Sequence, residues 1–194
     1  MVYASEDDTY CYPGTRVLKN RLGLSDPLLL EEAELALTLL RAEEGLPPGR
    51  LDKAHYLALH RHLFQDVYDW AGEVRRVRIG KAGNWFCYPE YISRELEALF
   101  DSADTPSRLL KLGHAGFCAG ATRFLSELNA IHPFRDGNGR TQMTFIALVA
   151  EQGGFGFDAE AIEPKAAVQA MIESFSGNSE ALQALLHRII TPRT

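Results

Sequence analysis

No stretch of about 18 consecutive apolar residues occurs in the chain, so the sequence offers nothing built to cross a bilayer. A charged leader followed by an apolar run and a cleavage site is also missing, and the expectation is a cytoplasmic protein with no membrane partner. Cysteine is scarce: Cys11, Cys87 and Cys118 are odd in number and lack metal-site spacing, which argues against a disulfide framework and fits a reducing compartment. An excess of positive charge is lacking too. The formal net charge is −6, whereas a nucleic-acid surface needs a basic stripe, so no direct nucleic-acid partner is expected. Repeats and low-complexity blocks are absent as well. What remains is 194 residues with 46% apolar and 24% charged side chains, enough for a single globular domain over 1–194 with a substantial core.

The chemistry concentrates in His132-Pro133-Phe134-Arg135-Asp136-Gly137-Asn138-Gly139-Arg140, between two long apolar helical segments. Pro133 excludes the right-handed helical region for the residue before it, so the helix ending at Ile131 stops and His132 sits on a rigid exit. Downstream, Met143 to Ala150 is apolar on all sides, which predicts a buried helix whose first turn is Asn138 to Thr141. Residues 132–143 thus form a loop that hands over to a helix N-terminus. The free N–H groups and positive dipole end there suit an anion, and phosphate above all. Gly137 and Gly139 allow close approach or positive φ, Arg140 adds a charged fork, and Asp136 is a hard oxygen ligand for the Mg²⁺ of a polyphosphate. His132 titrates near neutrality and can take a proton from a hydroxyl. A calcium loop fails on register: with Gly137 or Gly139 at loop position six, the first and twelfth positions fall on His132 and Met143, or on Phe134 and Phe145. A simple turn would leave the order of these residues to coincidence.

Before this stretch, 1–24 reads as an N-terminal arm. Asp26 and Pro27 start a helix over Leu28–Glu44, and Leu51–Tyr68 is an amphipathic helix whose His55, His60 and His62 read as surface or boundary residues rather than metal ligands. From Arg75 the period changes, and 75–88 reads as a two-stranded hairpin. Its edge could accept an extended peptide by strand addition, or it could be a structural hairpin with Trp85 buried. Helices follow over Pro89–Ala103, from Thr105 through to Ile131, over Ala159–Phe175 and over Asn178–Ile190, giving an all-α domain with one small hairpin.

The segment 132–140 resembles the signature of Fic-domain proteins, and Trp70-Ala71-Gly72 and the arm around Tyr10 to Asn20 are similar to segments of bacterial Fic toxins. That resemblance implies the Fic fold, with 75–88 as a flap in which Lys81, Ala82, Gly83, Asn84, Trp85 and Phe86 dock a target segment. It implies a protein adenylyltransferase that moves AMP from ATP to a Tyr, Thr or Ser hydroxyl, with a bacterial housekeeping protein such as a type II topoisomerase as a target. By resemblance, His132 is the base, Asp136 the Mg²⁺ ligand and Arg140 a catalytic cation. Phe134, Gly137, Asn138, Gly139 and Arg140 would form the nucleotide cradle, with Phe134 packed inward. The family pattern has a second arginine where this chain has Met143, which implies altered nucleotide affinity. Many Fic enzymes carry an inhibitory helix with Ser or Thr, three residues, then Glu before Gly or Asn. Ser176 to Glu180 has that spacing but continues with Ala181, so an inhibitor is expected as a separate small antitoxin chain. Alternatives are a Doc-like phosphotransferase and a non-catalytic module that binds a partner through the flap.

Overall fold

The computed structural model describes residues 4–5, 8–81 and 83–193. Eight helices and two small antiparallel sheets occur among them, and no helix is long and apolar enough to cross a membrane. The chain divides into two compact units, Met1–Ser93 with Pro133–Thr141, and Arg94–His132 with Gln142–Thr194. Helices α3 (Pro89–Phe100) and α6 (Asn138–Gln152) contribute residues to both.

In the first unit, α1 (Pro27–Glu43) starts where the sequence places it. The Asp26 side chain accepts the N–H groups of Leu28 and Leu29, and Pro27 occupies the first turn, where its missing donor costs nothing. Helix α2 (Lys53–Phe64) is shorter than the expected Leu51–Tyr68. Leu51 has φ 58°, a left-handed conformation incompatible with a helix, and Asp52 caps the helix instead by accepting the His55 N–H. At the other end Val67 and Tyr68 both donate to Phe64 O, and the chain closes into turns. Leu30 of α1 packs with Leu63, Phe64, Val67 and Tyr68, and the arm adds Cys11, Val17 and Leu18 to the same cluster. Part of that arm, residues 1–3, 6 and 7, lies outside the described residues.

The hairpin is shorter than 75–88 and has a third strand. β2 (Ile79–Lys81) pairs with β3 (Asn84–Trp85) through Gly80↔Trp85 and Lys81↔Asn84, while β1 (Ala4–Ser5) pairs with the other side of β2. Residues 75–78 leave the ladder because Arg75 turns inward, 1% exposed, and donates to the carbonyls of Val77 (2.8 Å) and Cys87 (2.6 Å). Trp85 is 40% exposed under the Arg78 guanidinium, so burial of that ring does not anchor the hairpin. Ala82 lies outside the described residues.

In the second unit the expected single helix from Thr105 to Ile131 is two: α4 (Pro106–Leu109) and α5 (His114–Ile131), separated at Leu110–Gly113. The break lets Leu109 fold back so closely on α5 that a Cβ at Gly120 would lie 2.3 Å from its Cδ2. Phe117, Cys118, Phe124, Leu125 and Leu128 are fully buried, as the apolar pattern predicts. Helix α7 (Pro164–Phe175) begins later than Ala159, at the proline that suits a first turn, and α8 (Glu180–Ile189) follows with Asn178 accepting the Glu180 N–H. The second sheet was not expected: β4 (Phe155–Phe157) pairs with β5 (Ile190–Pro192). Its strands have three residues each and lie far apart in sequence, too short to show a period of two.

Candidate active site

His132 caps the C-terminus of α5 in the left-handed region, φ 49° and ψ 63°, with its N–H on Leu128 O at 3.0 Å. A non-glycine residue there costs about 1–2 kcal/mol, and Pro133 supplies the reason by excluding the right-handed alternative. Nδ1 lies 3.2 Å from Asn129 O. A carbonyl only accepts, so Nδ1 carries the proton and Nε2 the lone pair, the tautomer of a general base, in a residue that is 6% exposed.

The loop that follows is over-determined. Phe134 is fully buried, stacked on His60 with centroids 3.7 Å apart and beside Tyr56 at 5.4 Å. Asn138, 1% exposed, clamps the same residue twice: its Oδ1 accepts the Phe134 N–H (3.0 Å) and its Nδ2 donates to the Phe134 carbonyl (2.8 Å). The Asn138 side chain is therefore committed to holding the loop, and a cradle role for Asn138 would fall to its first-turn backbone N–H. The Arg135 guanidinium donates twice to Asp8 Oδ2, at 2.9 and 2.6 Å, in a nearly buried pair.

His60 is the largest departure from the sequence reading of a surface or boundary residue. It is fully buried, accepts the Gly72 N–H at Nδ1 (2.8 Å) and lies 3.0 Å from Asp136 O at Nε2. Those partners require the neutral ring with its proton on Nε2. Burial lowers its pKa from 6.5 to about 3. His55 is also buried, between the Leu51 N–H and Pro47 O, and His62 is half-buried on Arg41 O.

The His60 shift has a consequence for stability. Folded His60 stays neutral while unfolded His60 gains a proton below its ordinary pKa, so the unfolded state binds more protons and stability falls as pH falls. The loss starts near pH 6.5 and runs to about 3. Between about pH 7 and 5 it amounts to about 2 kcal/mol. Urea titrations at both pH values check this: the slope is expected in the natural chain and flattened in His60→Gln.

Gly137 has φ 75°, and a Cβ on it would lie 2.4 Å from the Phe64 Cζ. Asp136 Oδ1 accepts the Gly137 N–H at 2.7 Å, and Thr141 Oγ1 donates to Gly137 O at 2.9 Å. Gly139 is different: an added Cβ would meet nothing within 4 Å. The helix entrance is open at that residue, where a phosphate oxygen could approach backbone N–H groups.

Arg140 lies over the Phe64 ring at 4.6 Å and donates to Glu34 and, at 3.4 Å, to Thr38 Oγ1, both on α1. Tyr68 O–H donates to the same Glu34 carboxylate. Burial raises the Glu34 carboxyl above its ordinary value, and the Arg140 charge pulls it back. A cavity of about 350 Å³ in the first unit is lined by Arg16, Glu34, Tyr68, Arg135, Asp136 and Arg140, among others. Asp136 and Arg140, two of the expected site residues, thus share one cavity. Asp8, Glu34, His60, Tyr68 and Arg75, whose N–H donates to Pro133 O at 2.9 Å, support the loop or its arginines and were missed by the sequence reading. Only the motif itself carried a local signal.

Residues 50–150 match the Fic/DOC family model. The chain is also 49% identical over 189 residues, 97% of its length and 98% of the relative's, to "Probable protein adenylyltransferase y4lH" of Sinorhizobium fredii. It belongs to the Fic/DOC family. A second Fic relative, "Probable protein adenylyltransferase Fic" of Salmonella typhimurium, is 34% identical and aligns over 95% of this chain and 92% of its own. Among solved structures, the Bartonella tribocorum BepC protein with bound AMPPNP has a TM-score of 0.88 at 28% identity, covering 95% of this chain and 97% of that one. The mostly helical Fic fold with a small antiparallel β-hairpin is therefore shown, and at least one Fic neighbour holds a nucleotide.

Proposed function

We propose that this Fic protein is a protein adenylyltransferase using ATP. The observation that carries the reading is the cavity in the first unit that Asp136 and Arg140 line together; Gly139, next to Arg140 in sequence, leaves the helix entrance open, and His132, in the second unit, keeps its Nδ1 on Asn129 O. The names of the two full-length relatives and the AMPPNP in BepC support it. His132 Nε2 takes the proton of a target Tyr, Thr or Ser hydroxyl. That oxygen then bonds to the α-phosphorus of ATP, the bond from the α-phosphorus to the bridging oxygen breaks, and diphosphate leaves. Arg140, held at the cavity wall by Glu34 and Thr38, faces the negative charge of the leaving group. The donor set suits Mg²⁺, which is held by one or two carboxylates together with substrate phosphates: Asp136 is a half-buried carboxylate with acceptor capacity beyond its bond to Gly137. Bound there, the ion would neutralise phosphate charge. The flap, 75–88, would align the target segment through β3, an edge strand of the three-stranded sheet.

A small antitoxin chain is the inhibitor this reading expects. Leu28, Leu35 and Leu39 lie seven and four residues apart on α1, at 69%, 53% and 56% exposure, and offer a partner helix an apolar stripe. Intact-mass measurement of a modified target tests the reaction: a gain of one AMP supports adenylylation, and a gain of one phosphate supports the Doc-like alternative instead.

Met143 follows Arg140 by three residues on α6 and is half-buried. A thioether lacks the charge-assisted donation that a second arginine makes, worth about 1.5–3 kcal/mol. Met143→Arg is expected to tighten ATP binding by about tenfold or more. Calorimetric titration with unchanged affinity would remove this explanation of the altered motif.

A further inference from the structure

A second cluster of chemistry lies wholly in the second unit and takes no part in the reaction above. His114 and Cys118 are four residues apart on α5, so their side chains share one helix face. His187 reaches the same place from the last turn of α8, and one ligand-capable atom from each of the three lies within 4.8 Å of the others. Sequence spacing could not reveal this, because the third residue is 69 positions beyond the second and the fold alone joins them.

We propose that His114, Cys118 and His187 form a binding site for a thiophilic divalent cation of the Zn²⁺ class. Geometry supports the assignment. His114 Nε2 and Cys118 Sγ are 3.6 Å apart. Tetrahedral zinc with ordinary Zn–N and Zn–S bonds holds two such atoms about 3.5 Å apart. Two imidazoles with one thiolate select zinc-like ions over Mg²⁺ or Ca²⁺, which prefer oxygen. The rings of His114 and His187 stand 5.3 Å apart and nearly perpendicular at 79°, so they do not stack. Cys118 is fully buried, His114 half-buried and His187 exposed, an order that gives an ion a path from solvent to the sulfur. Without metal, His114 Nε2 bonds Ile190 O at 2.7 Å and burial holds the Cys118 thiol up at about 11. On binding, the Cys118 S–H bond breaks and its proton goes to solvent while sulfur bonds the ion. His114 shifts its ring proton to Nδ1 through solvent, and Nε2 exchanges the Ile190 carbonyl for the metal. One proton is released in all, so affinity rises with pH. The ion would pin α8, and β5 directly after it, to α5.

The test uses the whole chain freed of any histidine tag. Co²⁺ should give a thiolate-to-metal charge-transfer band in the near ultraviolet that Zn²⁺ abolishes, and Zn²⁺ should raise the Tm. Cys118→Ser should lose the band. His187→Ala, at an exposed position, should keep the metal-free Tm but lose the Zn²⁺-induced rise. Absence of the band in the natural chain overturns the proposal. So does an undiminished band in Cys118→Ser, which would place the metal on Cys11 or Cys87, or an undiminished Tm rise in His187→Ala. None of these readouts depends on nucleotide transfer.

Discussion

His132→Ala is expected to lower the rate of AMP transfer by about a hundredfold to ten-thousandfold while ATP affinity changes little. The imidazole removes a proton from the attacking hydroxyl and makes no contribution to holding the phosphates in this account, so the loss belongs in kcat. The geometry sharpens the expectation. Nδ1 is engaged with Asn129 O at 3.2 Å, and the cap conformation at φ 49° and ψ 63° is enforced by Pro133, so the ring is held in place from within its own helix. Alanine can occupy the same backbone region at a similar cost, so the variant should fold and bind ATP in calorimetry. Initial-rate measurements with saturating ATP give the comparison. A fall in ATP affinity with kcat retained would assign His132 to binding rather than proton transfer.

Gly137→Ala should have the largest effect on the fold. The residue sits at φ 75°, where a side chain costs about 1–2 kcal/mol, and the new Cβ would lie 2.4 Å from the Phe64 ring. Phe64 cannot retreat easily, being fully buried in the cluster of Leu63, Val67 and Tyr68 and carrying Arg140 on its face. Overpacking of that kind costs about 1–3 kcal/mol more. A total of about 2–5 kcal/mol corresponds to a Tm loss of about 5–15 °C for a chain of this size. Gly139→Ala is the companion measurement. Its Cβ meets nothing within 4 Å, so Tm should hold while ATP binding weakens, because the added methyl stands where the phosphate approaches. Equal Tm values for the two variants would contradict the division of labour between the glycines.

Much of the site was legible because it is contiguous. The order His132, Phe134, Asp136, Gly137, Asn138, Gly139, Arg140 announces a helix exit, an anion corner and a helix entrance, and the structure has α5 ending at Ile131 and α6 starting at Asn138. The supports were not legible, because they come from distant residues. His60 meets Asp136 across 76 positions and Arg140 meets Glu34 across 106. Nothing in the local pattern of α2 distinguishes a buried neutral histidine from a solvated one. Likewise the helix from Thr105 reads as continuous, since Leu109, Leu110 and Leu112 keep the apolar period through the break that the packing of Leu109 on Gly120 imposes. The Asn138 side chain clamps Phe134, a task visible only once the turn closes.

The sharpest test supplies the protein with ATP labelled on the α-phosphate in one reaction and on the γ-phosphate in another, each with a bacterial lysate. Protein-bound label is expected from the α-position only, absent when His132→Ala replaces the natural chain. Label transferred from the γ-position, or α-label transferred equally well by His132→Ala, would contradict it.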